Sequence, residues 1–318
     1  MCAMVGGGIR DDKEAMKKVC VVILNWNGRD LTLRCLESLR QSDYANIECV
    51  VVDNGSTDSS ATDILAAFPE TGMIRNATNL GFAEGCNQGI VWGGKRGADY
   101  FLMLNNDTRV DPAMVSLMVA AAAEHHDRAA IIPKIYWEHD PSRLWFAVGS
   151  ANLWTGVFTN IAYNYVDDGR FDSRREMEFA VGCCVLMSKE IVEKVGGFDR
   201  SFFAYMEDVD WSLRCRGAGF TIVFCPAAKL WHAVSATGRR KPARIRYLMT
   251  RNHLWVMRRY ASVAQLACFL FLLPLRSMLR IAKCILARDG ESIKAEFQGA
   301  KDGLLKAGAP ASSAGKLE

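Results

Sequence analysis

Apolar residues along this chain gather in short unbroken runs that stop abruptly at amides, carboxylates or glycine. Residues 19–24 read Val-Cys-Val-Val-Ile-Leu and break at Asn25, Trp26, Asn27 and Gly28; residues 47–52 run into Asp53, Asn54 and Gly55; residues 100–104 run into Asn105, Asn106, Asp107 and Thr108. Runs of this length fit strands buried on both faces, as in a parallel sheet covered by helices. Between them the period changes to that of a helix. Leu31, Cys35, Leu36 and Leu39 share one face of residues 30–40, with Asp30 as the expected N-cap. Helices are also predicted over residues 59–68 and 83–92, with a weak strand at Met73 and Ile74. A β-α-β-α alternation of this kind demands parallel strands and right-handed crossovers. It brings the polar tips of the strands to the carboxyl edge of the sheet, where open α/β sheets bind ligands; an Asx turn accounts for any one tip taken alone.

Beyond residue 110 the pattern holds, loosens and returns. Residues 112–124 are nearly all Ala, Val, Met and Leu and predict a helix buried against the sheet. Residues 131–179 break into short β-like pieces rich in Trp, Tyr, Asp and Arg, with a mobile or substrate-specific loop expected around residues 167–175. A strand follows at residues 181–187, then a helix at residues 189–195 stopped by Gly196 and Gly197. Next, Glu207, Asp208 and Asp210 crowd three carboxylates into four positions ahead of a helix through Cys215. Acidic residues suit a first helical turn, but three at once behind a largely aromatic segment exceed what a cap requires. Apolar surroundings raise a carboxylate's pKa, which suits a general base working near neutrality. Residues 221–224 form another predicted strand, with His232 just beyond it.

Composition narrows the class. The 318 residues are half apolar with a net charge of +4, so one catalytic domain with an appendage is the default. The carboxylates concentrate in the first two thirds, whereas residues 239–288 are strongly basic, which points to an anionic partner near the C-terminus. No nucleic-acid partner is expected. The eleven cysteines contain no Cys-x-x-Cys pair and several sit inside apolar runs, so they read as reduced core residues of a cytosolic protein. Gly6, Gly7 and Gly8 followed by charges offer no apolar stretch for a secretory signal.

The motifs taken together resemble a known family. Leu24 to Gly28, Val51 to Asp58, Asn79-Leu80-Gly81-Phe82-Ala83 with Asn87, Leu104 to Thr108, and Gly197-Phe198-Asp199 through Glu207 to Trp211 occur in that order and at similar spacing. The chain resembles inverting family 2 glycosyltransferases of the GT-A fold, nearest the rhamnosyltransferase-like branch. The resemblance covers about residues 19–260. It implies an α/β fold: a Rossmann-like, mixed, mostly parallel sheet flanked by helices, with an amphipathic helical extension. The implied organisation is a flexible N-terminus (residues 1–18), a nucleotide-sugar-binding half (19–110), an acceptor-binding and catalytic half (111–238) and a basic helical region (239–318).

Residue by residue, the resemblance assigns Asp53 to the base or ribose of a nucleotide sugar, with Asn25 and Asn79 lining the same cleft. Asn105, Asn106 and Asp107 stand at the family's Asp-x-Asp position, and Asp107 with His232 would hold Mg²⁺ or Mn²⁺. Asn105 departs from the pattern, because an amide is a weaker ligand than the usual carboxylate. Asp208 matches the catalytic base, with Glu207 and Trp211 beside it on the acceptor side. The implied reaction moves L-rhamnose from dTDP-L-rhamnose to a lipid-linked, polyprenyl-diphosphate saccharide in cell-envelope glycan synthesis. UDP-galactofuranose or UDP-N-acetylhexosamine is the alternative donor, and a non-catalytic nucleotide-sugar-binding protein is the alternative that Asn105 suggests.

The C-terminal third supplies the last expectations. Arg239, Arg240, Lys241, Arg244, Arg246, Arg251, Arg258 and Arg259 interleave with Tyr247, Leu248, Trp255 and Tyr260. Arginine forks suit phosphate oxygens, so Arg244, Tyr247 and Arg251 are candidates for the donor or acceptor diphosphate. The uncharged run at residues 261–275 is shorter than the roughly twenty residues needed to span a bilayer. With the basic residues beyond Pro274 it predicts an amphipathic helix lying on the cytoplasmic membrane surface. A helix pair packed on the protein's own core, or forming a homodimer, is the other reading.

Overall fold

The computed structural model describes residues 16–234 and 242–306. Arg239, Arg240, Lys241 and most of the N-terminal segment lie outside these residues. The first half alternates strictly: β1 (Val19–Asn25), α1 (Arg29–Arg40), β2 (Ile47–Asp53), α2 (Ser60–Ala67), β3 (Gly72–Arg75), α3 (Phe82–Gly94) and β4 (Tyr100–Asn105). Then come β5 (Thr108–Val110), α4 (Met114–Glu124), β6 (Ala129–Trp137), β7 (Leu144–Phe146), β8 (Gly149–Asn152), β9 (Val157–Asn160), β10 (Arg175–Glu176) and β11 (Cys184–Ser188). The remainder is α5 (Lys189–Val195), α6 (Glu207–Gly217), β12 (Thr221–His232), α7 (Pro242–Tyr260), α8 (Val263–Leu286) and α9 (Gly290–Leu305).

Helix α1 starts two residues earlier than expected. Gly28, not Asp30, occupies the N-cap; Asp30 sits in the first turn, where its charge complements the helix dipole.

The main sheet runs β10-β12-β6-β11-β4-β1-β2-β3, with β5 added to β12 and β7 to β6. Strands β3, β2, β1 and β4 are mutually parallel, β11 runs antiparallel to β4, and β6 and β12 resume the first direction. One edge therefore collects the carboxyl ends of β1, β2, β4, β6 and β12 together with the loop that enters β11. The order reverses between β1 and β4, the switch point at which such sheets bind ligands. The central strands are almost wholly Val, Ile, Leu, Met and Phe and are buried on both faces.

The loose middle of the sequence hides a central nine-residue strand, β6. Pro133 and Lys134 disguise it. Pro133 sits beside a bulge where the pairing to β12 jumps from Cys225 to Lys229, a place where a missing N–H is tolerated. Buried Lys134 is neutralised by Asp167 and Asp172, so residues 167–175 are tied to the sheet at that point. β12 likewise continues through its bulge at Pro226 as far as His232, which is the strand's last residue rather than one just beyond it.

The C-terminal helices form their own layer. Trp255 and Val256 of α7 join the main core, while Glu296 of α9 accepts from Thr250 on α7 and from Ser277 and Arg280 on α8. Gly299 and Gly303 let α9 approach α7 closely: a Cβ at Gly299 would lie 2.7 Å from the Tyr247 carbonyl oxygen. The ten cysteines among the described residues are all free.

Candidate active site

The β1–β2–β4 end of the edge is built by amides. Asn25 and Asp53 are paired in register at the tips of β1 and β2, and the Asn25 amide donates to the Asp53 carboxylate at 2.8 Å. Asn25 is completely buried and accepts from Thr32 at 2.9 Å, so it orients Asp53 instead of lining the cleft itself. Asn106 donates to Thr32 at 3.0 Å, which ties the end of β4 to the same cluster. Sequence reasoning missed Asn54. Its amide donates to the Gly81 carbonyl at 3.0 Å and to Asn79 at 3.2 Å, and its oxygen accepts from Leu80 N at 3.0 Å. The signal was its place directly after Asp53 within a polar strand tip.

Beyond β4 the chain turns through Asn106 and Asp107 into β5, whose antiparallel pairing sets Thr108 opposite His232. This register brings the Asp107 carboxylate to 3.0 Å from His232 Nε2, with both residues buried. Trp145 packs edge-on against the imidazole at 4.4 Å between ring centroids. His232 Nδ1 is buried without a hydrogen-bond partner, an unusual cost for a polar atom in an apolar setting. A buried carboxylate 3.0 Å from the Nε2 of a buried imidazole is a pair of side chains that a divalent cation could bridge. Among the described residues no group of three or more His, Cys, Asp or Glu could hold one, so Asp107 and His232 stand as a pair.

The three clustered carboxylates separate into different roles. Asp210 is fully buried in an ion network: Arg214 reaches it at 3.0 Å, Arg259 and the Tyr260 hydroxyl at 2.8 Å. Arg259 also meets Asp199 at 2.8 Å, so one guanidinium ties α7 both to α6 and to the loop that precedes it. Asp208 is half-buried and accepts from the backbone N–H of Gly182, in the loop entering β11, at 3.0 Å and from Val209 N at 2.8 Å. Burial raises its pKa above the ordinary aspartate range, and those N–H groups partly offset the rise. Glu207 is buried with Oε2 unpartnered; burial first and the Asp208 charge second push its pKa well up. Of the coupled pair, Asp208 is the one whose ionised form is favoured, since the backbone N–H groups of Gly182 and Val209 meet its carboxylate while Glu207 Oε2 has no partner.

The loop leading to Asp208 is strained and clamped. Phe203, Tyr205 and Met206 all have positive φ, between 67° and 69°. Asn252 donates to the carbonyls of Phe202, Ala204 and Tyr205 at 2.7–3.0 Å. From the other side, Asn87 brackets Phe198, donating to its carbonyl at 2.7 Å and accepting from its N–H at 2.8 Å. Gly81, with φ +93°, lets the loop close on α3: a Cβ there would stand 2.5 Å from the Phe203 oxygen.

A model of the family described as Glycosyl transferase family 2 matches residues 20–196, more than half of the chain. The chain belongs to glycosyl transferase family 2. The transferase is 26% identical over 230 residues to the N-acetylglucosaminyl-diphospho-decaprenol L-rhamnosyltransferase of Mycobacterium tuberculosis, covering 66% of this chain and 74% of that protein. It is 24% identical over 216 residues to the dTDP-rhamnosyl transferase RfbF of Shigella flexneri, covering 68% of this chain and 69% of that protein. Among solved structures, the mannosyltransferase PcManGT of Pyrobaculum calidifontis, in complex with GDP-Man and Mn²⁺, matches with a TM-score of 0.56 at 14% identity over 91% of this chain and 87% of that one. The sheet order and this likeness establish a GT-A-type fold.

Several expected contacts of the transferase lie elsewhere. Trp211 is fully buried and donates its indole N–H to the Gly196 carbonyl at 3.0 Å, which makes it a packing residue with no face toward an acceptor. Arg251 spends its guanidinium on the Ser201 and Phe202 carbonyls and on Asn252, and Tyr247 bonds Asp302 of α9 at 2.9 Å. Both hold the loop and helices in place instead of facing phosphate. Arg244 lies over the Phe203 ring at 4.5 Å, beside the strained loop.

Proposed function

We propose that this transferase moves L-rhamnose from dTDP-L-rhamnose to a hydroxyl of a polyprenyl-diphosphate-linked saccharide, with inversion, in cell-envelope glycan assembly. The observation that carries the reaction is the assembly of Asp53, the Asp107–His232 pair and Asp208 along one edge of one sheet. The names of the two bacterial relatives support the sugar and the lipid-linked acceptor. Asp53 and Asn79 receive the nucleoside, with Asn25 and Asn54 fixing them. Asp208 takes the proton of the acceptor hydroxyl as that oxygen attacks the anomeric carbon from the face opposite the leaving diphosphate. A single displacement inverts the centre, and no carboxylate nucleophile is needed.

Asp107 and His232 would hold Mg²⁺ or Mn²⁺, which when bound neutralises charge on the departing diphosphate. Two protein ligands leave the rest of the coordination to phosphate oxygens and water, the usual arrangement for Mg²⁺. Asn105 fits that economy, since a second carboxylate is dispensable where the donor itself supplies anionic oxygens.

The same reading places the protein on the cytoplasmic membrane surface. No helix among the described residues is long and apolar enough to cross a membrane. Helix α8, however, buries only Phe269 and Cys284 and turns Val263, Phe271, Leu275, Met278, Leu279, Ile285 and Leu286 outward. An apolar helix face of this kind suits the bilayer interface, where a polyprenyl acceptor resides.

Thermal unfolding with a panel of nucleotide sugars tests the donor. At about a hundred times its dissociation constant, dTDP-L-rhamnose should stabilise the protein by about 2.7 kcal/mol. Stabilisation by UDP-galactofuranose or UDP-N-acetylhexosamine in its place would overturn the sugar assignment.

A further inference from the structure

We infer that the β8–β9 hairpin is a second membrane-contacting element, with Trp154 entering the headgroup layer beside the apolar face of α8. The inference rests on the membrane-surface reading of α8 and adds a separate point of contact.

The hairpin turn, Leu153-Trp154-Thr155-Gly156, is built by Asn152, whose side-chain oxygen accepts from Trp154 N at 3.0 Å and Thr155 N at 3.1 Å. Gly156 has φ +65°, and a Cβ there would fall 2.5 Å from the Phe269 ring. Leu153 and Phe158 pack with Leu266, Phe269 and Leu273 of α8 and with Leu254 and Met257 of α7. His253 is sandwiched between Phe158 and Phe269 at 5.8 and 5.0 Å. Arg276 of α8 donates to the Thr155 carbonyl. The hairpin is thus seated on the inner side of α8, and its turn emerges alongside the helix. Leu153 points inward while Trp154 points out, 53% exposed, with Val157 beside it.

Charge decides the occupant. From Leu144 to Val166 the chain carries no Asp, Glu, Lys or Arg. On α8, the turn after it and α9, the exposed cations are Lys283, Arg288, Lys294, Lys301 and Lys306; the one exposed carboxylate there, Glu291, pairs with Lys294, and buried Asp302 pairs with Lys306. An apolar face with a basic rim complements an anionic lipid surface and opposes a second copy of the same basic face. Tryptophan prefers the boundary between headgroups and acyl chains, where its ring is buried and its N–H stays wet. Two contacts fix an orientation that one helix, free to roll about its axis, would not.

Flotation with phosphatidylglycerol/phosphatidylcholine vesicles tests this using the full-length chain. Trp154→Ala should weaken partitioning about tenfold, as loss of one large interfacial side chain implies, with an unchanged thermal midpoint. Phe271→Glu on α8 should weaken it at least as much. If Phe271→Glu detaches the protein and Trp154→Ala does not, the hairpin inference fails while the α8 reading stands. If neither variant alters flotation, both fail. Sedimentation closes the remaining route: a wild-type dimer that Phe271→Glu converts to monomer would assign the face to a second copy and overturn the inference.

Discussion

Asp208 and Glu207 are neighbours in sequence whose surroundings push them into different work. Both carboxyl groups have folded-state pKa values raised by burial, so the charged forms cost stability in the native state. That penalty is absent at low pH, where both groups are protonated, and grows as pH rises from the ordinary carboxylate range through the raised values. Glu207→Gln should therefore flatten the loss of stability toward neutral pH, read by thermal unfolding across pH. Transfer by this variant should stay within about tenfold of wild type, because the base remains, whereas the wild-type kcat/KM should fall as pH drops below the raised pKa of Asp208. The residues themselves were legible as a cluster in the sequence. What the sequence lacked was their division of labour, which depends on which carboxylate meets backbone N–H groups and which meets the Arg259–Arg214 network.

At the scale of elements, the decisive piece is the loop from Phe198 to Met206, held by α3 on one side and α7 on the other. Asn252→Ala would leave the Ala204 and Tyr205 carbonyls without their side-chain donor, Phe202 keeping Arg251, and should cost about 2–3 kcal/mol of stability. It should also lower kcat with little change in donor affinity, since the loop sets Asp208 and not the nucleotide. Gly81→Ala places a side chain at φ +93° against the Phe203 oxygen and should destabilise by at least about 1–3 kcal/mol, measured by denaturant unfolding. The alternating first half was legible because its strands are continuous apolar runs. β6 and the end of β12 were not, because their prolines sit at a bulge and Lys134 is buried only by virtue of distant Asp167 and Asp172. Arg251 and Tyr247 were read as phosphate ligands since exposed cations and clamping cations look alike until the carbonyls they meet are seen.

At the scale of the whole molecule, the proposal that Asp107 and His232 hold the cation together with the donor's phosphates implies ordered assembly. Mn²⁺ titrated calorimetrically should bind weakly to the protein alone and markedly more tightly with dTDP present, and His232→Ala should abolish the difference. The fold turns one sheet edge into a cleft with the tips of β1, β2 and β4 at one end, where we propose the donor binds, and Asp208, the proposed base, arriving on α6, steadied by the C-terminal helices. The claim that unites these parts is that Asp208 activates the acceptor in a single inverting displacement. Comparing Asp208→Asn with wild type in donor binding and in sugar transfer tests it most directly. Nucleotide-sugar affinity should be unchanged while transfer falls by on the order of 10²–10⁴-fold; transfer retained at the wild-type rate would contradict it.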